Sequence, residues 1–215
     1  MTTLITGANR GIGRALLDQS RGSGNLTFGT ARTVVDDLLQ LDVANASSVQ
    51  ILAKELKDQP LDLLVCNAGV YLDKGDTLAS GYESDKWADT FATNVTGVFL
   101  TIQALLPNLR AAQNARIAII SSQMASDTNA PGGSYIYRAS KAAALNLGRN
   151  LASDLKPEGI AVGIYHPGWV QTDMGGASAA ITVDEAATGL LQRFAALNIA
   201  TTGCFETWDG RAHPY

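Results

Sequence analysis

Tyr137 and Lys141 stand four positions apart in the segment YRASKAAALN, which has the composition of a helix. Residues at this spacing share one face of a helix, so we expect the phenol and the ammonium group side by side. Lowering the pKa of a tyrosine from about 10 to about 7 requires roughly 4 kcal/mol of preference for the phenolate. A cation about 4 Å away, at an effective dielectric constant of about 20, supplies about 4 kcal/mol. The pair therefore predicts acid/base catalysis by Tyr137, with its pKa lowered by Lys141.

Two hydroxyls, Ser121 and Ser122, end an apolar run upstream of this pair. A hydroxyl at the end of a strand can donate a hydrogen bond to a substrate oxygen on which negative charge develops. We take Ser122 as the donor and Ser121 as the alternative. Both serines could instead simply terminate the strand.

Two other side chains could take part in acid/base catalysis by their residue type but lack the charged or nucleophilic neighbours that it requires. Tyr135 has Ala139 at the fourth position onward, so no cation would lower its pKa, and we expect it to pack or to line a pocket. His166 has no carboxylate or nucleophile beside it and precedes Pro167, so we expect a structural role at the end of a strand.

A glycine-rich loop, TGANRGIG at residues 6–13, follows the first apolar run. Gly7 permits a tight turn, and Gly11 and Gly13 let backbone amides and a helix N-terminus approach a pyrophosphate closely. A glycine-rich turn without a ligand is the alternative. The loop residues predicted to contact a dinucleotide are Gly7, Asn9, Arg10, Gly11, Ile12 and Gly13.

Apolar runs with strand character alternate with helical patterns along the whole chain. The predicted strands are Thr3–Thr6, Leu26–Ala31, Leu38–Leu41, Leu61–Asn67, Arg116–Ser121, Ile160–Tyr165 and Cys204–Thr207. The predicted helices are Ile12–Arg21, Ser47–Lys57, Ser84–Gln113, Tyr135–Leu155 and Val183–Leu197. Asn45 to Ser48 and Thr182 offer capping side chains.

This alternation is typical of a parallel sheet covered on both faces. With no repeat and no linker, it predicts one α/β domain over residues 1–215, a Rossmann-type doubly wound fold with a seven-stranded parallel sheet. Only Arg32–Asp37 remain between the second and third strands. A crossover normally needs about a dozen residues, so we expect its helix to shrink to about one turn.

Four motifs in this order resemble the short-chain dehydrogenase/reductase family. They are TGxxxGxG from Thr6, Asn67-Ala68-Gly69, the YxxxK of Tyr137 and Lys141, and Pro167-Gly168. The resemblance spans Thr6 to about Met174. The segments YRASKAAALN, PGWVQTDMGG and WDGR narrow it to the compact carbonyl-reductase and C-factor-like branch.

The resemblance assigns roles to further residues. It implies that Lys141 also holds the nicotinamide ribose, that Asn94 holds a proton-relay water, and that Thr172 holds the nicotinamide carboxamide. Ser122 would be the second of the family's serine pair, although it precedes Tyr137 by fifteen residues where about thirteen are usual. The remaining cofactor contacts implied are Asp42, Val43, Asn67, Ala68, Gly69, Pro167, Gly168 and Val170. Asp42 could equally cap a turn.

Charge at the end of the second strand bears on the choice of cofactor. Members of the family that use NAD place an acid there, whereas this chain reads Gly-Thr-Ala-Arg up to Arg32. Arg32 and Arg10 match positions at which the family binds the 2′-phosphate of NADP, and a guanidinium grips a phosphate with two hydrogen bonds. Both could instead be solvated surface arginines. Asp36 and Asp37 keep NAD(H) as the runner-up.

Composition argues against several other classes of protein. The 215 residues carry a formal net charge of −4 and show no basic stripe, which argues against a nucleic-acid partner. Two cysteines and two histidines give no zinc spacing, so no metal site is predicted, and Cys66 is expected to be a buried thiol. No secretion signal and no membrane span are recognised, so a cytoplasmic protein is expected.

The expected function is hydride transfer between NADP(H) and a carbonyl or alcohol substrate. A nucleotide-sensing or signalling protein of C-factor type is the alternative. The resemblance implies a homodimer or homotetramer through Ser84–Gln113 and Tyr135–Leu155, whose small residues allow close helix approach. The short segment GGASAAI after Met174 suggests an open pocket and leaves the substrate undefined.

Overall fold

Seven strands form one sheet in a computed structural model that describes residues 1–57 and 59–215. The strands are β1 Thr2–Ile5, β2 Leu26–Ala31, β3 Leu39–Gln40, β4 Leu63–Cys66, β5 Arg116–Ile120, β6 Ala161–His166 and β7 Phe205–Thr207. They are all parallel, in the order β3-β2-β1-β4-β5-β6-β7. The predicted seven-stranded parallel sheet is confirmed, with strand limits that differ by one to two residues at several ends.

Helices cover both faces of this sheet. They are α1 Gly11–Gly22, α2 Ala46–Glu55, α3 Ser84–Phe91, α4 Gly97–Arg110, α5 Tyr135–Leu155 and α6 Val183–Ala196. Two of their predicted caps are present: Asn45 accepts from the amide of Ser48, and Thr182 forms a reciprocal capping box with Glu185.

The two faces have separate apolar cores because successive residues of a strand point to opposite sides. Leu4 and Leu64 face the side that α2, α4 and α5 cover, whereas Ile5 and Val65 face the side of α1 and α6. This alternation explains why the strands read as continuous apolar runs.

The order of the strands creates a crevice. The chain moves outward from β1 to β3 and then returns to the other side of β1 to form β4. The loops after β1 and β4 therefore lead in opposite directions, and ligands of open parallel sheets bind at such a switch point. The glycine-rich loop and the Asn67-Ala68-Gly69 motif both lie there.

The predicted helix Ser84–Gln113 is interrupted in the structure. A π-helical turn, Ala92–Thr96, separates α3 from α4. One extra residue in such a turn shifts the face that the helix presents, and turns of this kind are frequent at functional sites. Periodicity alone did not reveal the interruption, because the apolar residues on either side fit the same helical pattern.

The stretch from Ser84 to Arg110 is 27 residues long and contains an 18-residue window with a mean hydropathy of 1.2, which by length and composition would suffice to cross a membrane. The core helix of a soluble protein has the same character. Its apolar side chains Val98, Ile102 and Leu105 are buried against the sheet.

The connection between β2 and β3 holds a turn and no helix, so the prediction of a one-turn helix there was wrong. The amide of Leu38 donates to the carbonyl of Val35, and Asp36 has a positive φ of 52°. Residues 32–37 are all exposed, so no apolar face holds a helical turn against the sheet.

Candidate active site

The glycine-rich loop leads from β1 into α1 with almost no space to spare. Gly7 has a φ of 66°, which suits a residue without a Cβ. A Cβ on Gly13 would come within 2.2 Å of the Gly7 carbonyl oxygen and 2.5 Å of Asn67 Nδ2. The start of α1 therefore lies directly against the loop, in the arrangement that presents helix amides to a phosphate.

Thr6 and Asn67 tie this loop to the end of β4. Thr6 Oγ1 accepts from the amides of Asn67 and Ala68, both at 3.0 Å. Asn67 Nδ2 donates to the carbonyls of Thr6 at 2.9 Å and Gly7 at 3.1 Å. Asn67 thus braces the walls of the crevice, and its predicted contact with a cofactor stays a prediction.

Tyr137 and Lys141 are both buried on α5, with 7% and 5% of their surface exposed. Lys141 Nζ lies 5.6 Å from the centre of the Tyr137 ring and donates to the carbonyl of Ile120 at 2.9 Å. The predicted neighbours on the helix are therefore neighbours in the structure.

The pKa shifts of Tyr137 and Lys141 differ from those expected from the sequence. Burial raises the pKa of Tyr137 well above its usual value, a hydrogen bond with Ser122 acts to lower that pKa, and Tyr71 acts to raise it. Burial also lowers the pKa of Lys141 to about 8. The expectation that Lys141 by itself brings the Tyr137 pKa to about 7 is not met in this state, because it counted the attraction and omitted the desolvation of both groups.

Ser121 and Ser122 have different hydrogen-bond partners. Ser121 Oγ donates to the backbone carbonyl of Lys141 at 3.0 Å. Ser122 Oγ accepts from the amide of Met124 at 3.1 Å, and Ser122, unlike Ser121, acts on the Tyr137 phenol by lowering its pKa. The geometry therefore favours Ser122 over Ser121 as the hydroxyl beside the reacting oxygen.

Asn94 is buried within the π-helical turn. Its side chain donates to the carbonyl of Val70 and accepts from the amide of Val70, both at 2.9 Å. Its Nδ2 also donates to Ser140 Oγ at 3.0 Å, and Ser140 in turn donates to the carbonyl of Tyr137 at 2.8 Å. The side chain connects α5 to the segment after Gly69, and its role with a relay water stays a prediction.

Three residues beside Tyr137 were not predicted. The Tyr71 ring stacks on the Tyr137 ring with centres 4.2 Å apart, and the buried Asp73 accepts from backbone amides of α5. The Tyr137 hydroxyl lies 3.9 Å from Met174 Sδ. No sequence signal marks them, because their partners lie 37 to 66 positions away in the chain and only the fold brings them together.

The predicted phosphate-binding arginines differ in their surroundings. Arg10 is exposed and forms an ion pair with Asp173, from the loop after β6. Arg32 is exposed at the end of β2, where its carbonyl accepts from Gln40. The acids that would favour NAD(H), Asp36 and Asp37, form ion pairs with arginines of α1. Asp36 pairs with Arg14 at 3.7 Å and Asp37 with Arg21 at 2.8 Å.

Asp42 and Val43, predicted to contact the cofactor, have partners within the protein. Asp42 Oδ1 accepts from the amide of Ala44 at 3.0 Å, which is the turn-capping alternative. Val43 is buried in the core on the side of α2 and α4.

The loop after β6 folds back on itself. Gly168 has a φ of 91°, and Val170 pairs with Ile181 in an isolated bridge. Thr172 Oγ1 accepts from the amide of Gly175 at 3.0 Å, and its methyl group would lie 3.5 Å from a Cβ on Gly11. Thr172 therefore faces the glycine-rich loop across the crevice.

Three side chains, Tyr135, His166 and Cys66, were predicted to have packing, pocket-lining or structural roles. Tyr135 is exposed and contacts Tyr82 edge-on at 5.3 Å. His166 is buried at the end of β6, where burial lowers its pKa to about 4. Cys66 is a buried free thiol whose pKa burial raises to about 12.

A phenol, a buried amine and a hydroxyl thus converge at the carboxyl edge of the sheet, beside a loop shaped for phosphate. The sequence profile described as short chain dehydrogenase matches residues 1–181.

The chain belongs to the short-chain dehydrogenase family.

Relatives within this family include both a named signal and a named enzyme. The C-signal of Myxococcus xanthus is 39% identical over 158 residues, covering 73% of this chain and 93% of that protein. The 1-hydroxy-2-glutathionyl-2-methyl-3-butene dehydrogenase of Rhodococcus sp. (strain AD45) is 32% identical, covering 97% of each chain. The NADPH-bound carbonyl reductase from chicken fatty liver superposes with a TM-score of 0.91 at 29% identity, covering 100% of this chain and 98% of that chain.

Proposed function

We propose that this short-chain dehydrogenase transfers hydride between NADP(H) and a carbonyl or alcohol substrate, and that residues 1–215 form one NADP(H)-binding domain. The observation that carries the proposal is the buried grouping of Tyr137, Lys141 and Ser122 at the switch point of the sheet. These three groups lie at the same carboxyl edge of the sheet as the glycine-rich loop, so a dinucleotide held by that loop would end beside them.

In the reducing direction, NADPH held at the glycine-rich loop of residues 6–13 would supply the hydride that the carbonyl carbon takes up. The Ser122 hydroxyl donates a hydrogen bond to the substrate oxygen, and the Tyr137 phenol gives that oxygen a proton as the carbonyl double bond breaks. Lys141, while charged, stabilises the phenolate that remains. A proton from solvent then restores the phenol, and oxidation of the alcohol reverses each step.

Two observations support NADP(H) over NAD(H). The end of β2 carries Arg32 and no acid, and the acids nearest to it, Asp36 and Asp37, are already paired with Arg14 and Arg21. The carbonyl reductase with the TM-score of 0.91 contains NADPH.

A signalling protein with little turnover is the second candidate, and the 39% identity to a C-signal favours it. The complete set of Ser122, Tyr137 and Lys141 supports the enzyme, because a protein that only binds a nucleotide has no use for a buried proton donor. The decay of NADPH absorbance with a panel of ketones, aldehydes and quinones separates the two candidates.

Replacement of Tyr137 by Phe tests the enzyme directly. The variant keeps the ring but loses the transferable proton, so we expect near-complete loss of turnover with NADPH affinity little changed. Single-turnover hydride transfer at saturating cofactor measures the effect.

Tyr135→Phe is the matched control, because it removes one hydroxyl from the same turn of α5. We expect it to leave the chemical step largely intact, since Ala139 and no cation lies four positions on. An inactive Tyr135→Phe beside an active Tyr137→Phe would contradict the whole assignment of the site.

A further inference from the structure

The helix that carries Tyr137 begins without a cap of its own. The residue before α5, Ser134, has a left-handed backbone with φ 48° and makes no side-chain cap. The first amides of a helix have no partner within the helix and need one from elsewhere. Elsewhere in the fold, α2 and α6 take theirs from the neighbouring side chains of Asn45 and Thr182.

For α5 the partner is the carboxylate of Asp73, more than 60 positions away in the chain. Asp73 Oδ2 accepts from the amide of Ile136 at 2.8 Å, and Oδ1 accepts from the amide of Tyr137 at 3.2 Å. The residue is 0% exposed. A carboxylate at a helix N-terminus forms charge-assisted hydrogen bonds, so it holds these two amides more firmly than a neutral cap would.

The same short segment, Val70–Asp73, also holds the ring of Tyr137. The Tyr71 ring stacks on it at 4.2 Å, with an angle of 19° between the planes. The Tyr71 hydroxyl is hydrogen-bonded to Ser134 Oγ at 2.5 Å. The other end of the segment is fixed, because both backbone polar groups of Val70 are bonded to Asn94.

Capping a helix with a buried charge costs desolvation free energy, so stability alone does not explain this cap. Here it bonds the backbone of the residue whose phenol must meet the substrate, and a misplacement of about 1 Å can lower a rate about a hundredfold. We propose that Asp73 is a positioning residue for Tyr137, and that Val70–Asp73 clamps the catalytic tyrosine at its backbone and at its ring. This inference rests on the proposed function.

The first variant is Asp73→Asn, which keeps the shape and one acceptor oxygen but removes the charge. Hydrogen–deuterium exchange is expected to rise about tenfold or more in the peptide containing residues 134–141. The kcat for carbonyl reduction is expected to fall about tenfold to a hundredfold, while the dissociation constant of NADPH stays within about twofold.

Asp62→Asn is the matched control. Asp62 Oδ2 likewise accepts from a backbone amide, that of Thr2 at 2.6 Å, at the opposite end of the sheet from Tyr137. We expect this variant to alter neither exchange in residues 134–141 nor kcat. An equal loss of kcat in both variants would overturn the proposal, as would wild-type exchange and kcat in Asp73→Asn.

A second variant keeps the proposal testable if Asp73→Asn does not fold. Tyr71→Leu removes the stacked ring from a half-buried position, and we expect a several-fold loss of kcat with unchanged NADPH affinity. An unchanged kcat would overturn the clamp. A wild-type protein that reduces no carbonyl would refute the proposed function. Hydrogen–deuterium exchange needs no turnover. The exchange of residues 134–141 would therefore still decide whether Asp73 holds α5.

Discussion

At the scale of single residues, burial acts on Tyr137 and Lys141 in opposite directions. It raises the pKa of the acid and lowers that of the base, so each prefers its neutral form. Tyr137 therefore stays protonated, as a proton donor for carbonyl reduction must be. Lys141 keeps its charge only below about pH 8.

The lowered pKa of Lys141 predicts a pH-dependent contribution to stability. Its pKa is about 8 in the folded protein against 10.5 for an unperturbed lysine, so between these values the unfolded chain binds more protons. The penalty of the buried charge is thus fully present below pH 8 and is relieved as the pH rises towards 10.5. It amounts to roughly 3–4 kcal/mol, at about 1.4 kcal/mol per pKa unit.

Lys141→Met isolates this contribution. Relative to wild type, we expect this variant to gain stability, measured as a larger free energy of unfolding in urea, and the gain to be greater at pH 7 than at pH 10. Groups common to both proteins cancel in the difference. A difference that does not change with pH would contradict the assignment of the shift to Lys141.

Arg32 is the residue on which the cofactor preference depends. Arg32→Ala removes a charge-assisted contact worth about 1.5–3 kcal/mol, so NADPH affinity should fall about tenfold or more, with NADH affinity nearly unchanged. Fluorescence titration with both cofactors measures this. Equal losses for the two would refute the assignment, and a wild-type preference for NADH would point to Asp36 or Asp37.

At the scale of elements, two loops from opposite sides of the crevice are linked by Arg10 and Asp173. Arg10 belongs to the glycine-rich loop, and Asp173 follows β6. If Arg10 contributes to binding the 2′-phosphate, Asp173 competes with the phosphate for it. The ion pair is largely exposed and therefore weak.

Asp173→Asn should therefore tighten NADPH binding by about twofold to fivefold, the range that an exposed ion pair allows. Asp18→Asn, which breaks the surface pair of Asp18 with Arg14 on α1, serves as the control and should leave NADPH affinity unchanged. Weaker NADPH binding by Asp173→Asn would show that the pair organises the site and does not compete with the cofactor.

At the scale of the whole molecule, α3 and α4 leave aromatic side chains in solvent. Trp87 and Phe99 are 37% and 38% exposed, and Trp87 stacks against Phe91 at 6.0 Å. The homodimer or homotetramer through Ser84–Gln113 and Tyr135–Leu155, built on a two-fold axis, stays a prediction, and Phe99 lies on the first of these two helices.

Phe99→Asp should shift the assembly towards the monomer, because it places a charge in the predicted contact. Light scattering at tens of micromolar measures the mass of both proteins. Leu78→Asp is the control, since Leu78 is apolar and 76% exposed but lies in the loop before α3. A wild-type monomer, or an unchanged oligomer in Phe99→Asp, would contradict the predicted interface.

The sequence by itself determined the sheet, most of the helices and the Tyr137–Lys141 pair. These depend on local physics: apolar runs become buried strands, and residues four apart share a helix face. Thr182 and Asn45 were recognisable as caps for the same reason, because a cap and its helix are adjacent in the chain.

The tertiary structure alone decided which groups surround that pair. It separated Ser122 from Ser121, placed Asn94 in a π-helical turn, and brought Tyr71 and Asp73 onto Tyr137. It also showed that burial is the largest influence on the Tyr137 pKa and raises it. Contacts between residues distant in the chain, and the removal of water that accompanies them, follow from packing and leave no local pattern in the sequence.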